Sequence, residues 1–364
     1  MLSLDFLCKK ASSTRSPIPG KVMRTSTKTA LGISFPTFLL SVLASLAVVM
    51  VVILSTFSGG RKRSTATSAP PLRVQFVTYT DKLELAECKS VRSAASQGIL
   101  IDILGLDSYA SSIELERRKQ NKVYHLQNYL KKVPRETVVV FNDAADVIYV
   151  ADRNTMEQKL QSLFATGNLP RVFFAAERNF WPFYLDGEPR LPGAENKLVA
   201  YPNDTSTTYR FLNSGNWAGT SNAVQKLVSC WVRLLSTNAY LDDQHAAQEL
   251  FMKHHSDLTC GARMALDSNC DLFQTGHKSN LEAEDKWHKE DEHGPYVDIT
   301  TGRLFNMETQ TSPAIVHFNG GKMSFSKVAD FFWETASKER FNETWQLLAA
   351  RFPKLYDCQK YFRA

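Results

Sequence analysis

The stretch from Thr137 to Ile148, TVVVFNDAADVI, limits the fold more tightly than any other part of the chain. Val138, Val139, Val140 and Phe141 follow one another with no polar alternation. Such a strand has to be buried on both faces, as in a sheet covered by helices on each side. The run ends in Asp143-Ala144-Ala145-Asp146. In open α/β sheets ligands gather at the carboxyl ends of strands. Two acids spaced in this way can converge on one hard cation if the chain turns between them. The pattern after a buried strand is the expected mark of a divalent metal that carries a nucleotide diphosphate. The plainer alternative is a turn former or a helix N-cap.

Around this strand the sequence alternates between elements, which predicts an α/β domain with a mostly parallel sheet. Strands are expected at Arg73 to Thr80, Gly98 to Leu104, Arg171 to Ala176, Asp271 to Gln274 and Ala314 to Phe318. Helices are expected at Ser112 to Lys132, Thr155 to Ala165, Ser221 to Ser236 and Asp242 to His254. Two more, Phe325 to Phe341 and Thr344 to Phe352, close the chain. Glu282 to His293, EAEDKWHKEDEH, is charge-dense and reads as a solvated loop.

The N-terminal region has a different character. Phe38 to Phe57 carries no charge and matches the roughly 20 residues that cross a hydrocarbon core as a helix. A longer basic tail precedes it than a cleaved signal peptide would have, so it reads as an uncleaved anchor. Lys9, Lys10, Arg15, Lys21, Arg24 and Lys28 come before the span, and Arg61, Lys62 and Arg63 after it. The excess in front places residues 1–37 in the cytoplasm as a disordered tail and the bulk in a lumen. Residues 58–71 form a short stem and 72–364 the lumenal domain. Much of the formal charge of +6 lies in this leader, so nothing points to nucleic acid. Two glycosylation triplets, Asn203-Asp204-Thr205 and Asn342-Glu343-Thr344, agree with a lumenal side. Beyond the span lie Cys88, Cys230, Cys260, Cys270 and Cys358, an odd number that leaves one thiol over. Cys260 and Cys270 bracket a short loop and are the expected disulfide.

Further motifs follow the acid pair in order. They are Phe174-Ala175-Ala176-Glu177 with Trp181-Pro182 behind it, YRFLNSGNWAG from Tyr209 to Gly219, Asp242-Asp243-Gln244 at a helix start, and VHFNGGK from Val316 to Lys322. Together, from about Val74 to Lys322, they resemble the glycosyltransferase domain of procollagen lysyl hydroxylases and the related collagen glycosyltransferases.

The resemblance implies a GT-A, Rossmann-like fold that binds a UDP-sugar and Mn²⁺. It implies that Asp143, Asp146 and His317 hold the metal, and that Asp242 and Asp243 face the donor sugar and acceptor as catalytic acids. Lys122 is implied near the nucleotide sugar, Trp181 beside the sugar pocket, and Asn319 and Gly320 next to the diphosphate. Asn213, Ser214 and Gly215 read as a tight turn that contacts sugar hydroxyls. A divalent ion on the diphosphate would stabilise the charge that develops as UDP departs. The expected activity is transfer of glucose or galactose from UDP-glucose or UDP-galactose to a hydroxyl of a protein or glycan, hydroxylysine of a collagen-like protein included. The expected location is the membrane of the Golgi or endoplasmic reticulum. Hydroxylase activity is not expected, because its iron site needs a separate β-fold. The alternative is a non-catalytic, lectin-like or scaffolding protein that keeps the fold. Ala145 favours it, since the family carries an aromatic residue there to stack on uracil; otherwise Tyr79 or Tyr109 must cover the base.

Overall fold

The computed structural model describes residues 72–362, apart from 108–114, 166–170, 186, 203–206, 238–241, 255–259, 284, 291–293 and 321–323. The tail, the apolar span Phe38 to Phe57, the stem, the triplet at Asn203 and Tyr109 therefore lie outside the described residues. Among the described residues no helix is long and apolar enough to cross a membrane.

In chain order the elements are β1 (Val74–Tyr79), α1 (Leu85–Ser96), β2 (Ile101–Leu104), α2 (Leu115–Leu130), β3 (Val138–Asp143), β4 (Val147–Tyr149), α3 (Arg153–Ala165) and β5 (Arg171–Glu177). There follow β6 (Tyr184–Leu185), β7 (Glu188–Pro189), α4 (Ala194–Ala200), β8 (Phe211–Thr220), α5 (Ser221–Thr237), α6 (Asp243–His254), β9 (Arg263–Asp267) and β10 (Phe273–Thr275). A 3₁₀ turn (Asn280–Glu282) leads to β11 (Pro295–Asp298), β12 (Arg303–Asn306), β13 (Ile315–His317), α7 (Phe325–Thr335), α8 (Lys338–Arg351) and a closing 3₁₀ segment (Pro353–Tyr361).

The main sheet has the order β2-β1-β3-β8-β5-β9. All its neighbours run parallel except β8, which is antiparallel to both β3 and β5. The sheet is thus mixed and mostly parallel, as the alternating pattern implied. β3 is buried on both faces, with Val138, Val139 and Val140 at 0% exposure. Val139 and Phe141 pack with Val123 and Leu126 of α2 and with Leu227 and Trp231 of α5. Val138 and Val140 pack on the other face with Val91 of α1 and Leu348 of α8. Each such valine contributes about 1.5–3 kcal/mol through burial. A small second sheet, β10-β13-β4, leans on the first through Phe273 and Ile315.

Three local expectations are corrected, and one helix has no counterpart among the expected elements. Leu85–Ser96 is helical although no apolar stripe predicts it, because nearly its whole surface is buried, polar residues included. Lys89 and Arg92 reach Asp330 of α7, each at 2.7 Å. The last two helices part at Ala336-Ser337 rather than near residue 342, since the Ser337 hydroxyl caps α8 by accepting from the Arg340 amide at 3.3 Å. Asn213 to Gly215 is not a strand-end turn but lies inside the ten-residue β8. Finally, Cys260 pairs with Cys230 of α5, and Cys88 pairs with Cys358. Cys270 is a buried free thiol packed with Ala176 and Tyr209.

Candidate functional site

The sheet order places β1 between β2 and β3, so the chain leaves β1 in one direction and returns on the other side. A crevice opens at the carboxyl ends where such a reversal occurs. β3 ends there at Asp143, the chain turns through Ala144 and Ala145, and β4 starts at Val147 in the second sheet. β4 pairs antiparallel with β13, Val147 opposite His317, and the Phe318 amide donates to the Asp146 carbonyl at 2.8 Å. This pairing carries Asp146 to the imidazole, with His317 Nε2 3.4 Å from Asp146 Oδ1.

β8 brings in the third side. Its pairing with β5 jumps from Trp217 opposite Phe174 to Asn213 opposite Ala175, so Ser214, Gly215 and Asn216 bulge out of the ladder. Only glycine fits at the apex. A Cβ on Gly215 would come within 2.3 Å of His317 Cε1 and 2.8 Å of Asp143 Oδ2. Asn213 Oδ1 receives the Gly215 amide at 2.9 Å and lies 3.0 Å from His317 Nδ1. An amide oxygen only accepts, so Nδ1 carries a proton, and Nε2 is an acceptor only when the ring is neutral.

These groups line one cavity of about 510 Å³. Its walls include Lys122, Asp143, Asp146, Trp181, Asn213 and Ser214, together with Asp242, Asp243, His317, Asn319 and Gly320. Eleven of the twelve expected site residues are thus assembled there, and Gly215 makes room behind them.

Charge pairing organises one wall. Lys122 Nζ bridges Asp143 Oδ1 at 2.9 Å and Asp243 Oδ2 at 2.5 Å. Burial favours the neutral amine, but the two carboxylates outweigh it and raise the Lys122 pKa. Asp243 also accepts from the Ser214 hydroxyl at 2.8 Å. Asp242 caps α6, accepting from the His245 amide at 2.6 Å, and lies 3.7 Å from Lys119. Burial, and then the neighbouring Asp243, push its pKa up.

The opposite wall is built on Glu177, at the end of β5, which was visible in the sequence only as the last letter of a quoted motif. It is 2% exposed and accepts from Asn319 Nδ2 at 2.6 Å, from Asn213 Nδ2 at 3.4 Å and from the Gln244 amide. Burial lifts its pKa to about 8 against these donors and the nearby His317. The same two causes oppose each other at His317. Burial lowers its pKa, but Asp146, Asp143 and Glu177 together raise it. Trp181 is half-buried in the cavity wall under the Arg190 guanidinium, 4.4 Å from its ring. Gln244, His277, Lys119 and Arg190 also line the cavity and had no distinguishing sequence signal beyond the third letter of Asp242-Asp243-Gln244.

The donor types suit a divalent cation: two carboxylates and an imidazole whose Nε2 can accept. Gly215 lets Asp143 and His317 approach a common point. Among the described residues, however, no group of three or more His, Cys, Asp or Glu is drawn close enough to form a ready ligand set. In the structure Asp143 is occupied by Lys122.

The family model for the PLOD GT domain matches residues 74–341. A multifunctional procollagen lysine hydroxylase and glycosyltransferase of Caenorhabditis elegans is 27% identical over 267 residues, covering 72% of this chain and 32% of that protein. A procollagen-lysine,2-oxoglutarate 5-dioxygenase of Drosophila melanogaster is 26% identical over 238 residues, covering 63% of this chain and 28% of that protein. The chain therefore spans less than two thirds of the length of these curated relatives. Among solved structures, the galactosyltransferase LgtC with donor and acceptor sugar analogs superposes with a TM-score of 0.41 at 10% identity, covering 74% of this chain and 99% of that one. A likeness of that size is too slight to carry weight.

Proposed function

The chain belongs to the PLOD GT domain family, and from that premise we propose that it moves glucose or galactose from a UDP-sugar to a hydroxyl acceptor with the help of Mn²⁺. The observation that supports this best is the single cavity that gathers Asp143, Asp146, Lys122, Asp242, Asp243 and His317 at the carboxyl ends of the strands.

In this reading Asp143, Asp146 and His317 hold the metal, which supplies positive charge to the departing diphosphate. Lys122, paired with Asp143 and Asp243, would add a second positive charge from the same side. Asp243, fixed by Ser214 and Lys122, and Asp242, fixed at the start of α6, face the reacting sugar. Trp181 offers a flat apolar face to the sugar ring in the cavity. Asn213 and Asn319 are held by Glu177, so their positions are set before any substrate arrives. The acceptor is a protein or glycan hydroxyl; the worm relative's name joins lysine hydroxylase with glycosyltransferase, which makes hydroxylysine the first acceptor to try.

The same proposal extends to location. Phe38 to Phe57 anchors the chain in the Golgi or endoplasmic reticulum membrane, with the domain lumenal. The disulfides Cys88–Cys358 and Cys230–Cys260 support this, since such bonds persist in oxidising compartments. Asn342, exposed on α8, is then open to glycosylation.

The test is turnover of UDP-glucose and UDP-galactose by the full chain with Mn²⁺, compared with Asp143→Ala/Asp146→Ala. Release of UDP from one donor, lost in the variant, is the expected result. If neither donor is turned over and calorimetry detects no metal-dependent UDP binding, the protein is a scaffold rather than an enzyme.

A further inference from the structure

His277 is a cavity residue with an unmet need. Its ring lies in the wall of the cavity beside Asn319 and Gly320. Nδ1 is 2.7 Å from Glu282 Oε1. Nε2 is buried, and no hydrogen-bond partner for it exists among the described residues. Buried polar atoms in native proteins are almost always paired, so an orphan in a cavity wall points to a group that arrives with a ligand.

The local chain is built to hold this arrangement. β10 ends at Thr275, and the Gly276 amide donates to the His317 carbonyl at 2.8 Å. The amides of Gly276 and His277 both donate to Asn319 Oδ1, at 3.2 and 3.4 Å. Lys278 then takes a left-handed conformation, with φ of 57°. Ser279 caps the 3₁₀ turn by accepting from the Leu281 amide, and Leu281 anchors the turn at 0% exposure. The turn brings Glu282 back onto the imidazole. Glu282 opens the charge-dense segment that reads from the sequence as a solvated loop, so this end of it has a specific task. On the other side Gly320, at φ of 88°, lies so near that a Cβ would be 2.5 Å from His277 Nδ1. Glycine at 320 is therefore required for the ring to occupy its place.

The chemistry of the missing partner follows from the dyad. A carboxylate only accepts, so Glu282 fixes the proton on Nδ1. Nε2 of the neutral ring is then an acceptor and cannot donate. Phosphate oxygens, which also accept, do not suit that neutral tautomer. A hydroxyl is the right one. We propose that His277, oriented by Glu282, is a specificity residue that accepts a hydrogen bond from one hydroxyl of the sugar bound in the cavity. That the ligand is a donor sugar rests on the glycosyltransferase reading; the orientation of the dyad does not.

Two measurements on the full chain test the two halves separately. Long-range ¹H–¹⁵N NMR of the histidine rings, assigned with His277→Gln, reads the tautomer. A protonated Nδ1 with a bare Nε2 is expected, and a protonated Nε2 overturns the dyad. This result does not depend on catalysis. The second measurement compares kcat/KM for UDP-hexoses lacking one hydroxyl at a time, in the wild type and in His277→Ala. One deoxy donor should be about tenfold poorer than its parent for the wild type and equal to its parent for the variant, the size of one hydrogen bond. Glu282→Ala, which keeps the ring but frees it to turn, should lose part of the same discrimination. A His277→Ala defect that is equal for every donor overturns the assignment. If the wild type turns over no sugar nucleotide, the enzyme reading fails while the NMR result still judges the dyad.

Discussion

The two walls of the cavity differ in how they are held. The Asp143–Lys122–Asp243 wall is a string of charges, and Asp143 at its end is 31% exposed. Its pairs can be exchanged for a cation or a diphosphate at small cost, because the charges remain paired throughout. The Glu177 wall is a sealed set of amides. Asn213 is 1% and Glu177 2% exposed, and Asn213, Gln244 and Asn319 all converge on one carboxylate. No ligand can replace those bonds without opening the core. The ionic wall is therefore suited to respond to substrate, and the amide wall to keep its shape while that happens.

Separating activity from stability sharpens this contrast. The largest effect is expected for Asp143→Asn/Asp146→Asn. Turnover should fall by about 10³-fold, as for loss of electrostatic stabilisation of the departing group, while the denaturant midpoint stays close to wild type. A large loss of stability would mean that the acids are structural. Glu177→Ala should do the reverse. It strands three side-chain amides and should cost about 3 kcal/mol in urea unfolding; an unchanged midpoint would show that the amide wall is not sealed. Mn²⁺ should raise the melting temperature of the wild type but not of the Asp143/Asp146 variant, by the equivalent of about 2.7 kcal/mol at a hundredfold excess over Kd. Equal shifts in both would place the metal elsewhere. The smallest effect is expected for Gly215→Ala, which presses on both walls through His317 and Asp143. It should cost about 2 kcal/mol in the same unfolding measurement, as overpacking does, and should abolish the Mn²⁺ shift. A Gly215→Ala protein that still responds to Mn²⁺ would remove the glycine from the metal reading.

The ionic wall was legible because its residues occur in short motifs with a mechanism. Asp143 and Asp146 follow a strand that could only be buried, and Asp242 and Asp243 precede a helix. The amide wall was only half legible. Asn213 and Asn319 stood in motifs, but Glu177 terminates an apolar run and carries no signal of the three amides that meet it. His277 stood in a stretch with no expected element, and Glu282 at the start of one that read as a solvated loop. The same limit explains α1. Its buried polar face has partners on α7, far along the chain, so no periodicity within Leu85–Ser96 could disclose it. It explains the disulfides as well. Cys260 and Cys270 are close in sequence, yet Cys230 is the cysteine that α5 brings within 5.8 Å of Cys260, measured between Cα atoms.

By itself the sequence determined that β3 would be buried on both faces, that the sheet would be mostly parallel and that an acid pair would stand at its carboxyl end. Each follows from local chemistry: apolar runs must leave water, and acids after a strand remain at its tip. Tertiary structure alone decided what the acid pair would meet. The Asp143–Asp146 turn passes from one sheet to the other, the β8 bulge lifts Gly215 toward it, and β13 supplies His317. Those neighbours are set by strand pairing between segments more than 60 residues apart in the chain, with Thr78 bonded to Asn142 across 64 residues and Asn213 to His317 across 104. Such pairing depends on the register of the whole sheet and on which side chains fill the space behind it.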